Sequence, residues 1–350
     1  MTTIMHLIRN ALRCFSALCI TGGLLQVGVW QAHAQVTKTG TTLAQFLKIN
    51  VAPRGAALGD AFVAVANDVS AIYWNVAGLA RLGRNEFVVA HTNWIADVKL
   101  EYSALVIPLG DIGTIGGSIT ALTMGEMDVR TVDRPEGTGE RFGAGDLAVG
   151  FSYARNLTDR FSFGLTAKYV NEYIWHMGAS GFGVDVGTLY QTDFHGLTIG
   201  MSISNFGAKM RYNGNDGIIY FNVNPGKYGT NDKVVADIRM AEWDLPLIYR
   251  VGVAIEPVAA EQHRLKIAVD ALHPNDNTES VNVGAEYVFD NVVSLRTGYK
   301  ALFRKNSEEG LTLGAGIAYS VAGARLKADY GWADFGRLKS VHRFGLGIEF

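Results

Sequence analysis

The chain closes on Ser340-Val341-His342-Arg343-Phe344-Gly345-Leu346-Gly347-Ile348-Glu349-Phe350. In an extended strand, Phe344, Leu346, Ile348 and Phe350 fall on one face and Arg343, Gly345, Gly347 and Glu349 on the other. The alternation runs to the last residue, which is aromatic. A strand of this kind closes an outer-membrane β-barrel and carries its assembly signal in Phe344 and Phe350. It is a poor ending for a soluble domain.

Working outward, the same period of two recurs from residue 86. Leu147, Val149, Phe151 and Tyr153 alternate with Ala148, Gly150, Ser152 and Ala154. Phe161, Phe163, Leu165 and Ala167 alternate with Ser162, Gly164, Thr166 and Lys168. One face is apolar, with aromatics near strand ends, and the other is small, polar or charged. That dyad pattern suits lipid outside and a polar lumen inside. A β-sandwich also alternates. Strand length, aromatic placement and the leader described below favour the membrane. Fourteen strands are predicted, at 86–94, 98–108, 113–124, 144–156, 161–173, 181–191, 196–205, 246–256, 263–273, 280–289, 292–302, 310–320, 324–334 and 340–350. The fold class is therefore all-β, a transmembrane antiparallel up-and-down barrel.

Connections alternate in length. Those at 109–112, 157–160, 192–195, 257–262, 290–291 and 321–323 are short. Those at 125–143, 174–180, 206–245 and 303–309 are long. Short periplasmic turns and long external loops give this rhythm. An even strand count then places both termini on the periplasmic side of a Gram-negative outer membrane.

The amino end reads as a cleaved signal peptide over 1–34. Arg9 and Arg13 precede a mostly apolar run, and Ala32-His33-Ala34 offers a cleavage site. Both cysteines, Cys14 and Cys19, lie in this leader. The mature chain then has no disulfide, thiolate nucleophile or cysteine metal ligand. Loss of Arg9 and Arg13 leaves 29 basic against 33 acidic side chains, without a basic stripe for nucleic acid. No later run of 18 apolar residues predicts a spanning helix.

Residues 35–85 break the alternation. The segment is too apolar for a free tail and too polar in part for a lipid-facing strand, so a hatch inside the barrel mouth is expected, with the barrel proper at 86–350. A periplasmic extension is the alternative. Phe62, Tyr73, Trp74 and Asn75 are the candidate hatch residues. Pro53-Arg-Gly-Ala-Ala-Leu-Gly-Asp-Ala-Phe-Val-Ala-Val-Ala-Asn-Asp68, with Ser70-Ala-Ile-Tyr-Trp-Asn-Val-Ala-Gly-Leu-Ala80, resembles the opening of the PorV/PorQ family. That family lies in the wider FadL-like group. Its usual form is a G-x-A-F-V-A-V-A-D-D run followed by N-P-A-G-L-A. Here Asn67-Asp68 replaces the acidic pair and Val76 stands in place of proline. The resemblance is specific over 46–82. It implies a fourteen-stranded barrel with an internal hatch. It also implies a role in type IX secretion, with translocon components and secreted proteins bearing a C-terminal sorting domain as partners. The group's name-giver carries long-chain fatty acids.

No catalytic constellation is found, and no cofactor or metal is expected. His91, His176, His195, His263, His273 and His342 are scattered over strand ends and turns. Glycine pairs such as Gly314 and Gly316 lie within strands, not before a helix as phosphate loops do. The lumen face carries Lys168, Asp185, Arg250, Lys266, Asp270, Glu286, Arg296, Lys300, Lys327, Asp329, Arg343 and Glu349. They either line a pathway or pair across the lumen and anchor the hatch. The strongest partner-binding candidates are Tyr212, Tyr220, Phe221, Tyr228 and Trp243 in the long loop, set among Asn, Gly and Asp. The alternative has that loop folding its aromatics over the barrel mouth. The leading expectation is a non-enzymatic barrel, embedded in outer-membrane lipid, that binds cargo or partner proteins. A FadL-like transporter predicts instead an apolar cavity beneath the long loops, and a general porin predicts an open lumen.

Overall fold

The computed structural model describes residues 38–350, except 195, 230, 232, 305 and 306. The signal peptide expected at 1–34 and the side chain of His195 lie outside the described residues.

Fourteen antiparallel strands form the wall. They are β1 (Glu86–Asn93), β2 (Lys99–Pro108), β3 (Thr114–Thr123), β4 (Ala144–Asn156), β5 (Phe161–Ile174), β6 (Met177–Gln191) and β7 (Thr198–Gly207). The second half comprises β8 (Ile248–Ala259), β9 (His263–Pro274), β10 (Ser280–Phe289), β11 (Val293–Leu302), β12 (Leu311–Val321), β13 (Ala324–Asp334) and β14 (Ser340–Glu349). Each pairs with its neighbours in sequence, and β1 pairs with β14, so the sheet closes on itself. Closure leaves no unpaired edge, which is what an apolar bilayer demands of a sheet. The closing register sets Glu86 opposite Glu349 and His91 opposite Phe344.

The alternation decides which face turns out. On β4, Leu147, Val149, Phe151 and Tyr153 are exposed, while Ala148, Ser152 and Ala154 are buried. The expected strand count holds. One boundary does not: a long connection was expected at 174–180, but Trp175 and His176 alone join β5 to β6. Trp175 adopts φ 51°, the left-handed conformation a tight turn requires. The outward positions at the start of β6 are Gly178 and Ser180, which are small or polar and so carry no lipid-facing signal. The inward Ala179 is buried.

Two of the other long connections, 125–143 and 206–245, form pairings of their own. Met127–Asp128 pairs with Arg141–Phe142. In the longest loop, Asn213–Gly214 extends the sheet beside β6. A two-stranded ribbon, Ile218–Phe221 with Val234–Asp237, projects further.

Ahead of β1, the chain fills the barrel. Two short helices, α1 (Pro53–Ala57) and α2 (Ala71–Trp74), and two 3-10 turns, Gln45–Lys48 and Val76–Arg81, make this hatch. Ala57, Ala61, Phe62, Val63, Ala71, Ala77 and Leu79 are fully enclosed. The hatch is not confined to one mouth. Thr42 Oγ1 donates to Asp276 Oδ2 at 2.8 Å, in the β9–β10 connection at the long-loop end. Arg81 reaches Ser162 Oγ at 3.0 Å and Arg160 O at 3.1 Å at the short-turn end.

The path of the hatch sets the first described residues apart from the carboxyl end. Even strand parity places Glu86 and Phe350 together, and Phe350 N–H donates to Asn85 O at 3.0 Å. The hatch, however, crosses the lumen before β1 begins. Residues 38–42 therefore stand at the long-loop end, opposite Phe350, with Leu43 N–H donating to Asp244 O at 3.1 Å.

Candidate functional site

Two regions gather the residues singled out by sequence: the hatch with its lumen wall, and the long-loop surface. In the hatch, Pro53 opens α1 at a position where its missing N–H costs nothing. Gly55 lies against the Trp74 ring, where a Cβ would stand 2.5 Å from ring carbons. Phe62 and Trp74 pack with ring centroids 5.1 Å apart, and Tyr73 meets Trp74 edge-on at 4.7 Å. Asn75 is the polar pin of this core. Its Nδ2 donates to Val63 O and Thr188 O, both at 2.9 Å, and its Oδ1 accepts from Ala77 N at 3.2 Å. That cap holds the turn after Asn75, with Val76 buried behind it.

The wall is shaped to receive this segment. A Cβ on Gly164 of β5 would lie 2.7 Å from Ala77 N, and one on Gly331 of β13 would lie 2.9 Å from Pro53 O. Gly187, Gly200, Gly284, Gly298 and Gly314 likewise face hatch atoms. The strand glycines thus let the hatch approach the wall closely.

Charge completes the fit. Arg54 bridges Asp68 at 2.8 Å within the hatch and Glu286 at 2.7 Å on β10. Arg296 joins Glu286 at 2.8 Å and also Asp329. Lys327 holds Glu86 at 2.7 Å and Glu349, while Lys168 holds Asp185 at 2.8 Å. Lys300 joins Asp60 of the hatch at 2.8 Å to Glu309 at 2.7 Å. Asp270 Oδ2 accepts from Val63 N at 2.8 Å. Lys266 lies 3.9 Å from Glu256, and Arg250 donates to Ser204 Oγ at 2.8 Å while covering the Tyr73 ring. Arg343, fully buried, stacks on Trp94 at 5.6 Å. Burial pushes the Asp68 carboxylate up, but Arg54, Lys327 and Ser70 outweigh it and hold it below the usual range. Most of the predicted lumen charges therefore pair with one another or with the hatch. Sequence could not show which partner each takes.

The cavity lined by Phe46, Leu47, Ile72, Tyr73, Tyr102 and Arg250 measures about 30 Å³. At the short-turn end, a charged cavity of about 200 Å³ lies beside Arg54, Glu286 and Lys327, and another of about 570 Å³ beside Asn67 and Arg81.

The loop aromatics divide. Tyr220 is 72 % exposed, Tyr228 fully so, and Phe221 and Trp243 are also exposed. Ile218, Ile219 and Val235 add apolar surface to the same ribbon. Tyr212 does not join them. It packs half-buried against the cluster of Phe46, Leu47, Met210 and Leu245, so the loop root is tied to the start of the hatch. Phe344 faces outward beside Tyr330, ring centroids 5.3 Å apart, and Phe350 is exposed at the short-turn rim. Among the described residues no three or more His, Cys, Asp or Glu side chains gather as a metal site.

A closed fourteen-stranded barrel with an apolar outer belt and a lumen packed by its own amino-terminal segment is an outer-membrane β-barrel. Residues 31–236 match the family described as "Type IX secretion system protein PorV", and the chain belongs to that family. Among solved structures, the fold is similar to the Ralstonia pickettii toluene transporter TbuX, with TM-score 0.51, 13 % identity, and coverage of 85 % of this chain and 97 % of that one. The Pseudomonas putida toluene transporter TodX gives TM-score 0.50 and 12 % identity, with 80 % and 92 % covered. A Pseudomonas aeruginosa FadL homologue gives 0.48 and 13 %, with 86 % and 98 % covered. No curated protein matches the sequence.

Proposed function

We propose that this barrel performs no chemistry and conducts no solute, and that it serves type IX secretion by binding partner or cargo proteins at its long-loop end. One contrast carries the reading. The cavity beside Tyr73 and Tyr102 offers about 30 Å³, while the ribbon of the longest loop exposes Ile219, Tyr220, Phe221 and Val235 to solvent. Drug-sized ligands occupy cavities of roughly 300–1,000 Å³, so transport of hydrophobic molecules through a gate at Tyr73 and Trp74 is disfavoured. A general porin is disfavoured by the same packing. Exposed aromatics on a projecting ribbon suit a protein interface.

The long-loop end faces outward in this reading, and the short-turn end with Phe350 faces the periplasm. Replacing Lys38 by cysteine tests the orientation. A membrane-impermeant maleimide should label K38C on intact cells, and labelling only after the outer membrane is opened would reverse it. Affinity capture of the tagged barrel is expected to recover translocon components or secreted proteins with a C-terminal sorting domain. Recovery of neither, with secretion intact after deletion of 218–237, would defeat the proposal.

A further inference from the structure

At the long-loop end the lumen wall holds a pair of carboxylates that the protein itself leaves unbalanced. Asp146 on β4 and Glu172 on β5 stand directly opposite each other in the antiparallel register, both on inward positions. Like charges so placed repel. Elsewhere, buried carboxylates meet cations, as Glu286 meets Arg54 and Arg296, Asp185 meets Lys168, and Asp276 meets Lys48. Asp270 differs, being held by a hatch N–H. Asp146 and Glu172 make no ion pair with any described residue.

The geometry of Glu172 adds a second observation. The residue is 7 % exposed. Its Oε1 accepts from Ala44 N at 2.9 Å, fixing the start of the hatch. Its Oε2 is sealed from solvent and has no hydrogen-bond partner. Tyr212 packs against the cluster that contains Ala44 and closes this corner. A buried carboxylate oxygen without a donor is costly, and a second carboxylate facing it raises the cost. A hard divalent cation removes both penalties, since such ions take carboxylate oxygens and complete their shell with water.

We propose that Asp146 and Glu172 bind one divalent cation of the calcium or magnesium type, which neutralises the pair and fastens the start of the hatch to the wall. The cation joins β4 to β5 while Glu172 Oε1 keeps its bond to Ala44. The hatch is thus tied at the long-loop end by Glu172 on one side and by Asp276 on the other.

The test uses the purified full chain in detergent, titrated with calcium chloride and with magnesium chloride by calorimetry. Tyrosine-sensitised terbium luminescence gives a second readout. One saturable site with Kd of roughly 10⁻⁴–10⁻³ M is expected, in the range of extracellular calcium modules. D146N and E172Q should each weaken it at least tenfold. Calcium should raise the thermal transition of the wild type and leave D146N/E172Q unmoved. These neutral variants relieve repulsion, so they should fold as well as the wild type in chelator. Absence of saturable binding at millimolar cation would overturn the proposal, as would equal binding in the double variant. A wild-type transition that responds to acid but not to calcium would assign the pair a shared proton instead, and would equally overturn it.

Discussion

The hatch and the long-loop ribbon are both rich in aromatic residues, yet they use them in opposite ways. Phe62 and Trp74 are enclosed and packed on each other, with the Trp74 ring set against Gly55 of the hatch. Tyr220 and Phe221 lie on a two-stranded ribbon with both faces in solvent. Burial makes the first pair a source of stability. Exposure makes the second pair costly to keep unless something covers it. An isolated two-stranded ribbon gains little from folding alone, so its apolar surface is better explained by binding than by packing.

The largest test of this contrast is truncation in both regions. Phe62→Ala or Trp74→Ala should each lower unfolding stability by about 3–5 kcal/mol, measured by denaturant unfolding in detergent. Tyr220→Ala and Phe221→Ala should shift it by no more than about 0.5 kcal/mol, as surface changes do. Partner affinity should follow the reverse order, with ribbon truncations costing about 2 kcal/mol as interface hot spots. Equal stability losses in the two regions would erase the distinction.

A smaller effect is expected from the polar pins. Asn75→Ala leaves Val63 O, Thr188 O and Ala77 N without their partner, and about 1–3 kcal/mol should be lost. Thermal shifts of gel mobility would show it. A loss near zero would mean that water replaces the side chain and that the hatch core is wetter than its packing implies.

The smallest effect lies where hatch and loops meet. Asp276 accepts from Thr42 and Gln45 and pairs with Lys48 at 2.7 Å. Burial pushes its carboxylate up, but Lys48, Gln45 and Thr42 outweigh that and hold it below the usual range. A depressed folded-state pKa stabilises fully above the unfolded value, near 3.9, and the gain is lost as pH falls through the folded value. The gap between wild type and D276N should therefore be constant from about pH 5 to 8, at roughly 1 kcal/mol, and close in stronger acid. A gap that closes near neutrality would assign the strap to another group.

The wall was readable because alternation is a local property. Leu147, Val149, Phe151 and Tyr153 announce β4 without reference to any other strand. The signal fades where the outward residues are small or polar, and so Met177 to Ser180 read as loop although they belong to β6. The family motif at 53–80 marked the hatch, yet its direction was hidden. Parity counts strands, and the crossing from Thr42 to Arg81 is not a strand. The bonds of Arg54 to Glu286, of Asp270 to Val63 and of Glu172 to Ala44 were equally hidden, because each spans more than a hundred residues of sequence. Tyr212 shows the same limit: its loop is polar in composition, but Phe46 and Leu47 from the hatch cover it.

The most direct test of a sealed barrel that works from its loops is partner capture with the triple variant Ile219→Ser, Tyr220→Ser, Phe221→Ser. The account predicts a variant that assembles in the outer membrane at the wild-type level and loses the captured secretion proteins. Capture unchanged from wild type, in a variant that assembles normally, would contradict it.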